Sequence, residues 1–296
     1  MILEYDSARS ARTPPDHAVR VPARTSLAVI ASITSRPAGR VGLGLFVCVC
    51  SLGLLAPLLA VSDPFALVGD ALTAPSMTHW MGTDALGRDV MSGVIAGTRT
   101  SLTIAAAVSV LTFVCGTAIG VIGGYAGGWA DEVLLRLTEV LQVLPRFFLV
   151  IVVVALFGPG MLQLVLTLGL TSWPVLARVV RGEVLALRRA EFVIAAEAVG
   201  ATPAEILWRN VLPNVIPVAL VIVGLLFGQV LLVEASLGFL GLGDPNAMSW
   251  GLMAGQAQPL LRDAWWLALF PGVAITSAVL GANLLADAVS EALGGR

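Results

Sequence analysis

The chain has 296 residues, of which 57% are hydrophobic and 12% are charged, and its mean hydropathy is +0.92. Soluble domains carry about 25% charged residues, and a chain with half that share could not cover a soluble surface. The composition therefore predicts an integral membrane protein. The net charge of −2 excludes a strongly basic surface, so we expect no nucleic-acid partner.

Residue types that carry common catalytic and metal chemistry are scarce. All 17 basic residues are arginine, which excludes a P-loop and a lysine Schiff base, because both require lysine. The cysteines Cys48, Cys50 and Cys115 lie in apolar runs and are interpreted as small buried hydrophobes. We therefore expect no catalytic residue, no metal site and no cofactor on this chain.

Hydropathy predicts an all-α membrane protein with six spans. A bilayer core of about 30 Å requires about 20 apolar residues per helix. Six segments qualify, at about 41–61, 101–125, 133–157, 161–180, 215–233 and 264–289. We assign residues 1–40 to a flexible cytoplasmic N-terminal tail and residues 41–296 to the transmembrane domain. Glycines spaced four apart (Gly116, Gly120 and Gly124; Gly224 and Gly228) predict close helix packing.

Arginine asymmetry predicts the orientation, because cytoplasmic loops carry an excess of positive charge. The tail contains Arg9, Arg12, Arg20, Arg24, Arg36 and Arg40, and the loop between the fourth and fifth spans contains, with its flanks, Arg178, Arg181, Arg188, Arg189 and Arg209. The opposite side contains Arg88, Arg99 and Arg262. We therefore place the N-terminus and the loop at about 182–213 in the cytoplasm, and the segment at about 62–100 outside.

The cytoplasmic loop contains the stretch EFVIAAEAVGATPAEILWRNVLPN, beginning at Glu191. Its composition predicts a helix over Arg188–Val199, a left-handed glycine at Gly200 and a second helix that begins with a capping box at Thr202 and Glu205. We expect Pro213 to end this element. The apolar residues Phe192, Val193, Ala195, Ala196 and Val199 either rest on lipid or dock into another protein's groove. The small and acidic residues favour docking.

This loop resembles the EAA loop of ABC-importer permeases. Ala195, Ala196, Gly200 and the pair Leu212-Pro213 match the pattern of that loop, while Ile194 and Asn210 replace its usual Glu and Ile. The resemblance implies a coupling helix that docks into a cleft of an ATPase subunit. The residues expected to make this contact are Glu191, Ala195, Ala196, Glu197, Gly200 and Ala201.

A second resemblance lies in the external segment, in the stretch HWMGTDALGRDVMSGVIAGTRTSL from His79 to Leu102. It is similar to the GTDxxGRD and GxRxSL motifs of dipeptide, oligopeptide and nickel permeases. The matching residues of the first motif are Gly82, Thr83, Asp84, Gly87, Arg88 and Asp89. We expect a structured lip that contacts a binding protein or gates the pore. Thr83 or Asp84 is predicted to cap a helix beginning near Leu86, and Arg88 to pair with Asp84. A hydrolytic or metal cluster of Asp84, Asp89 and His79 is the disfavoured alternative.

The resemblance covers about residues 40–292 and is closest to the second, C-type permease of such systems. It implies the type I importer fold and a non-enzymatic transport subunit that translocates peptides by alternating access. The implied partners are a second homologous permease, two ABC ATPase subunits that bind ATP and Mg, an external substrate-binding protein and the lipid of the inner membrane. Transport of nickel or another small solute is the alternative within the family.

Two charged residues, Glu139 and Arg146, lie within the third predicted span. Charges inside a membrane usually face a cavity or a partner. We leave open whether these two line the pathway or pair with the second permease. A secondary transporter would use these two charges to bind ions or protons, but no inverted repeat is evident in the sequence.

Pro145 is predicted to kink this span, and Glu132 is predicted to pair with Arg136. Glu234 remains unassigned.

Overall fold

The computed structural model describes residues 26–59 and 63–294, which are helical apart from turns and two isolated β-bridges. The helices in chain order are α1 (Ser26–Ser35), α2 (Pro37–Leu59), α3 (Val90–Ala126), α4 (Gly128–Val143), α5 (Arg146–Phe157), α6 (Met161–Leu187), α7 (Glu191–Ala198), α8 (Pro203–Ile206), α9 (Leu212–Phe239), α10 (Trp250–Ala257) and α11 (Trp266–Gly294). A π-helical segment, Leu207–Val211, joins α8 to α9.

Five helical runs are long and apolar enough to cross a membrane: α2, α3, α6, the run Pro203–Phe239 and α11. Helices α4 and α5 pass the same test only as a pair, and the count is six when this bent pair is taken as one span. In lipid every backbone polar group must find a partner within the protein, and helices meet this requirement. The predicted all-α fold with six spans is therefore confirmed.

The third span is broken, whereas the sequence predicted one kinked helix. Helix α4 ends at Val143, α5 begins at Arg146, and the two axes differ by 81°. Proline lacks a backbone N–H, and its ring disfavours the helical conformation of the preceding residue. Leu144, which precedes Pro145, has φ −75° and ψ 124°, an extended conformation. Pro145 thus ends one helix and precedes the next.

The first span begins earlier than predicted, at Pro37 instead of Val41. Part of the segment assigned to the tail is the helix α1, whose Ile33 packs against Ala288 and Ala292 of α11. An ion pair between Arg36 and Glu291 joins the same two parts of the chain. The remainder of the predicted tail, with Arg9, Arg12, Arg20 and Arg24, lies outside the described residues.

The predicted glycine contacts are present. Gly116, Gly120 and Gly124 of α3 face Leu176, Val180 and Val184 of α6 in register. A Cβ atom at Gly120 would lie 2.6 Å from the carbonyl oxygen of Ala177. Small residues let helix backbones approach closely, and the resulting van der Waals contacts stabilise the association of helices in lipid.

The two ends of the helix bundle carry different structures. The cap end carries residues 63–89, which we call the cap, and the indole N–H of Trp266 at the start of α11 donates to the carbonyl of Thr83 there (3.2 Å). The loop end carries α7 and α8, and the phenol of Tyr125 at the end of α3 donates to the carbonyl of Pro203 (3.1 Å). Helix α3 therefore reaches both ends.

We expect Gly120→Ala to destabilise the protein by about 1–3 kcal/mol, because the added methyl group overpacks the contact between α3 and α6. The thermal unfolding midpoint of the detergent-solubilised protein measures this loss. Gly44→Ala is the matched control, since nothing lies within 4 Å of a Cβ atom at that helical position. It should be neutral or stabilising by up to about 1 kcal/mol. Equal midpoints for the two variants would contradict the close contact.

Candidate functional site

The loop between α6 and α9 folds as helix, glycine turn and helix. Helix α7 ends before Gly200, whose φ of +91° is the predicted left-handed conformation. The backbone N–H of Glu205 donates to Thr202 Oγ1 (3.3 Å), and the backbone N–H of Thr202 donates to Glu205 Oε2 (2.9 Å). These reciprocal bonds satisfy two N–H groups at the start of α8 and confirm the predicted capping box.

Two predicted boundaries of this loop are wrong. Helix α7 begins at Glu191, because Arg188 and Arg189 form a turn that closes α6 through bonds to Val184 and Ala186. Pro213 does not end the element. The helical run passes through the π-helical segment, where Leu212 N–H bonds to the carbonyl of Leu207, and continues as α9. The wider turn accommodates a proline that has no N–H to donate.

Most of α7 faces away from the bundle. Val193 is 1% exposed and packs in a cluster with residues of α3, α6, α8 and α9. Three large apolar side chains remain exposed: Phe192 at 42%, Ile194 at 53% and Val199 at 90%. The predicted contact residues Glu191, Ala195, Glu197 and Gly200 are exposed as well, and Ala196 and Ala201 are half-buried. The side of α7 that is turned away from the bundle thus has Phe192 and Ile194 at its two edges, and these apolar side chains have no partner in the described chain.

An ion pair beside this loop was not predicted. The guanidinium of Arg181 on α6 donates to both carboxylate oxygens of Asp131 on α4, from Nε to Oδ1 (2.5 Å) and from Nη2 to Oδ2 (2.6 Å). Bidentate pairs of this kind fix geometry as well as charge. The two residues lie 50 positions apart, so no local pattern could indicate the contact. The pair holds α4, the first half of the broken span, against α6.

At the cap end, Thr83 is the fully buried centre of the cap. Its Oγ1 donates to the carbonyl of Asp70 (2.6 Å) and accepts from Thr73 N–H (2.8 Å). Gly82 has φ +76°, and a Cβ atom there would lie 2.6 Å from the carbonyl oxygen of Thr73. The Gly-Thr of the motif is therefore needed for the fold of the cap.

The acidic residues of the motif also organise backbone. Asp84 Oδ1 accepts from the N–H groups of Leu86 (2.8 Å) and Arg88 (2.9 Å), which closes a turn around Gly87 at φ +77°. Arg88 Nε lies 4.0 Å from Asp84 Oδ2, as the spacing predicted.

The predicted cap of α3 by Thr83 or Asp84 is wrong. The helix begins at Val90, and Asp89 Oδ2 caps it by accepting from Ser92 N–H (2.8 Å). Thr83 is unavailable because its hydroxyl is bonded to the buried backbone of the cap, and Asp84 Oδ1 is engaged by the turn. His79 Nδ1 lies 3.3 Å from the other oxygen of Asp89. The carboxylates thus stabilise turns and a helix terminus.

The structure does not bring Glu139 and Arg146 together. Arg136 Nη1 donates to Glu139 Oε2 (3.0 Å) in an exposed ion pair. Arg136 therefore pairs with Glu139, one turn after it, instead of with Glu132, one turn before it, as predicted. Arg146 is the first residue of α5, is half-buried and forms no ion pair within residues 26–59 and 63–294. The break at Pro145 separates the two charges.

A buried carboxyl group lies where α3, α9 and α10 meet. Glu234 is 1% exposed, and its carboxyl group lies beside the hydroxyls of Ser101 and Ser249. Each hydroxyl also accepts a backbone N–H: Ser101 from Trp250 (3.4 Å) and Ser249 from Leu252 (3.3 Å). Each serine therefore has its own O–H left to donate, and the nearby carboxyl of Glu234 can act as an acceptor by its chemistry. The carboxyl group thus lies at the junction of three helices.

Comparison with known proteins identifies the family. Residues 116–296 match the family described as "Binding-protein-dependent transport system inner membrane component". The chain belongs to this family. It is 35% identical over 256 residues to the dipeptide transport system permease protein of Alkalihalophilus pseudofirmus, covering 86% of this chain and 84% of that protein. It is 38% identical over 220 residues to the glutathione transport system permease protein of Pectobacterium atrosepticum, covering 74% of this chain and 73% of that protein.

Solved structures agree with this result at the level of fold. A chain of the MetNI methionine ABC transporter in an inward-facing conformation superposes with a TM-score of 0.57 and 19% identity, covering 69% of this chain and 97% of that chain. The predicted importer-permease fold and the family resemblance are confirmed. The chain is a multi-pass transmembrane subunit of an ABC importer. This result favours the importer function over a secondary transporter and over a hydrolytic or metal cluster of Asp84, Asp89 and His79.

We expect Asp89→Ala to lower the free energy of unfolding by about 0.5–2 kcal/mol, because the first turn of α3 loses its N-cap. Asp89→Asn is the matched control, since asparagine caps about as well as aspartate. Thermal unfolding of the purified chain compares the two. A loss as large in the asparagine variant as in the alanine variant would contradict the capping role.

We expect Glu234→Leu to destabilise the chain by about 1–3 kcal/mol, because the hydroxyls of Ser101 and Ser249 lose the buried polar group beside them. Glu234→Gln keeps a polar side chain beside both hydroxyls, so its loss of stability should be smaller. The yield and the thermal midpoint of the solubilised variants measure the difference. A leucine variant as stable as the glutamine variant would show that the hydroxyls do not depend on Glu234.

Proposed function

We propose that this chain is one of two permease subunits of an ATP-driven importer of di- or oligopeptides in the inner membrane, with its N-terminus in the cytoplasm. Two ABC ATPase subunits bind ATP and Mg, and an external binding protein delivers the substrate. The transport system names of the relatives, which include dipeptide and glutathione permeases, support the peptide class. The oligopeptide transport system permease protein of Bacillus subtilis, 33% identical over 255 residues, covers 86% of this chain and 84% of that protein and supports the same class.

The observation that carries the coupling part of this proposal is the exposed side of α7, whose large apolar side chains have no partner in the described chain. Exposed apolar patches bounded by polar residues are typical of protein interaction sites. Phe192, Ile194 and Val199 are exposed at the loop end, beside the acidic Glu191 and Glu197. We assign this face to the ATPase cleft. Gly200 turns the chain sharply, so that α7 and α8 present a compact helical corner.

The packing of Val193 supports a direct connection from α7 to the spans. Val193 belongs to one hydrophobic cluster with Val184 of α6 and with Val211 and Val215 of the run that contains α9. Cores of this density are not freely deformable, so a displacement of α7 moves its neighbours. In the proposed mechanism, closure of the ATPases displaces α7, and the attached spans convert the cavity between inward-open and outward-open states.

The exposed sides of α5 and α6 are the proposed contact with the second permease. A groove of 510 Å³ lies between these helices, and its lining includes Leu149, Val153 and Leu166. Arg146 begins α5 and forms no ion pair with any residue that the structure describes, and Glu139 is exposed on α4. We assign both charges to the pathway or to this interface. At the other end, the cap, with its motif residues Gly82–Asp89, is the proposed lip that contacts the binding protein or gates the pore.

We expect Gly200→Val to reduce ATP-dependent peptide uptake at least about tenfold, because a β-branched residue cannot adopt φ +91° without strain and would displace α7. The chain should still insert into the membrane at wild-type yield. Uptake of a radiolabelled dipeptide into proteoliposomes, with the second permease, the ATPases and the binding protein present, measures the effect.

Gly182→Val is the matched control. Gly182 is exposed near the end of α6, has an ordinary helical φ and has nothing within 4 Å of a Cβ position. It should transport at close to the wild-type rate. Unchanged uptake in Gly200→Val would contradict coupling through the loop. Failure of any P-loop ATPase to copurify with the wild-type chain would contradict the assembly, and uptake of nickel instead of peptide would overturn the substrate class.

A further inference from the structure

Tyr125, in the last turn of α3, contacts three elements of the loop end. Its phenol donates to the carbonyl of Pro203, the first residue of α8 (3.1 Å). The guanidinium carbon of Arg188, just after α6, lies 5.4 Å from the centroid of its ring. The ring also packs against the hydrophobic cluster that contains Val193 of α7. One side chain thus ties the end of α3 to both flanks of the helical loop.

The hydrogen bond to Pro203 links α3 to the loop across 78 positions of sequence. The Pro203 carbonyl also accepts the N–H of Leu207 within the helix, and its second lone pair is free for the phenol. The phenol of Tyr125 therefore bonds to α8 without displacing a hydrogen bond of that helix. Because α8 follows directly on the capping box, a displacement of α7 and α8 changes the distance between Tyr125 and Pro203.

Helix α3 is the span best suited to carry such a displacement to the opposite end. It has 37 residues and therefore extends about 55 Å. Among the described spans it alone contains neither an internal proline nor a break: Pro57, Pro174, Pro217 and Pro271 lie inside α2, α6, α9 and α11, and Pro145 interrupts the sixth span. Proline removes a helical hydrogen bond and permits bending. Helix α3 is continuous up to Asp89, which joins it to the cap.

We propose that Tyr125 is a positioning residue that transmits displacement of the α7–α8 loop to α3, and through α3 to the cap. This inference rests on the proposed function, in which an ATPase displaces α7. Its consequence is a hydrogen-bonded link between the loop and α3, in addition to the packing of the Tyr125 ring against the hydrophobic cluster around Val193. The same route works in reverse, so that binding at the cap alters ATP hydrolysis at the loop end.

The test uses the assembled importer in proteoliposomes, with the ATPases, the second permease and the loaded binding protein. We expect Tyr125→Phe to lower the stimulation of ATP hydrolysis by the binding protein about threefold, and peptide transported per ATP by a similar factor, because one hydrogen bond is lost while the ring remains. Assembly yield and thermal midpoint should stay at wild-type values. Arg188→Gln, which removes the cation above the ring, should have a smaller effect in the same direction.

Thr103→Val is the matched control. It removes a hydroxyl from the same helix, but Thr103 Oγ1 donates only to the carbonyl of Arg99 one turn earlier (2.7 Å). It should leave the stimulation unchanged. Wild-type stimulation in Tyr125→Phe would overturn the inference while leaving the proposed function intact. A loss confined to assembly yield would show a purely structural role and overturn it as well. If the wild-type complex shows no stimulation, the proposed function itself fails.

Discussion

The backbones of α3 and α6 approach each other along three glycines, and the position of the other spans depends on this contact. Lipid offers no hydrophobic gain for bringing helices together, so close packing of small residues must stabilise the bundle. Gly116, Gly120 and Gly124 leave room for Leu176, Val180 and Val184, whose side chains fill the space over the glycine backbone. Helices α2, α4 and α9 then pack against this pair. Helix α7 packs against this α3–α6 unit through Val193.

Charged groups inside the bundle are held in two different ways. Asp131 and Arg181 satisfy each other in a bidentate pair near the loop end. Glu234 forms no ion pair in the described part of the chain and lies beside the hydroxyls of Ser101 and Ser249. Its Oε2 contacts no donor within residues 26–59 and 63–294. A buried polar group costs free energy unless other polar groups surround it. Each of these two sites therefore favours one particular packing of the neighbouring helices. Both groups therefore define where helices join.

The sequence predicts those features that depend on nearby residues. The capping box at Thr202 and Glu205, the left-handed Gly200 and the six apolar spans all follow from local chemistry, and the structure contains them. Features that depend on distant residues were missed. The local sequence leaves Thr83 available as a helix cap. In the structure, its carbonyl accepts a hydrogen bond from Trp266, 183 positions away, and its hydroxyl donates to the carbonyl of Asp70. Proline at 145 predicted a bend, yet its angle of 81° depends on what surrounds the two halves.

The loop site illustrates the same limit in functional terms. The pattern around Ala195 and Ala196 predicted a docking helix, and its apolar residues were expected to act together. Only the structure separates Val193, which anchors the helix to the bundle, from Phe192 and Ile194, which are exposed. An eight-residue helix with so mixed a composition has no strong apolar side from which this division could be predicted.

The spans differ in whether they contain proline, and this difference bears on how the loop end and the cap end of the bundle are coupled. Helices α6 and α9 flank α7 and share its hydrophobic cluster, but each contains a proline, and a π-helical segment precedes α9. These helices can bend, as a transport cavity that changes access requires. Helix α3 contains no proline and no break between the loop end and the cap. The proposed mechanism requires an element that keeps the two ends of the bundle in register while other helices bend, and we therefore assign that role to α3.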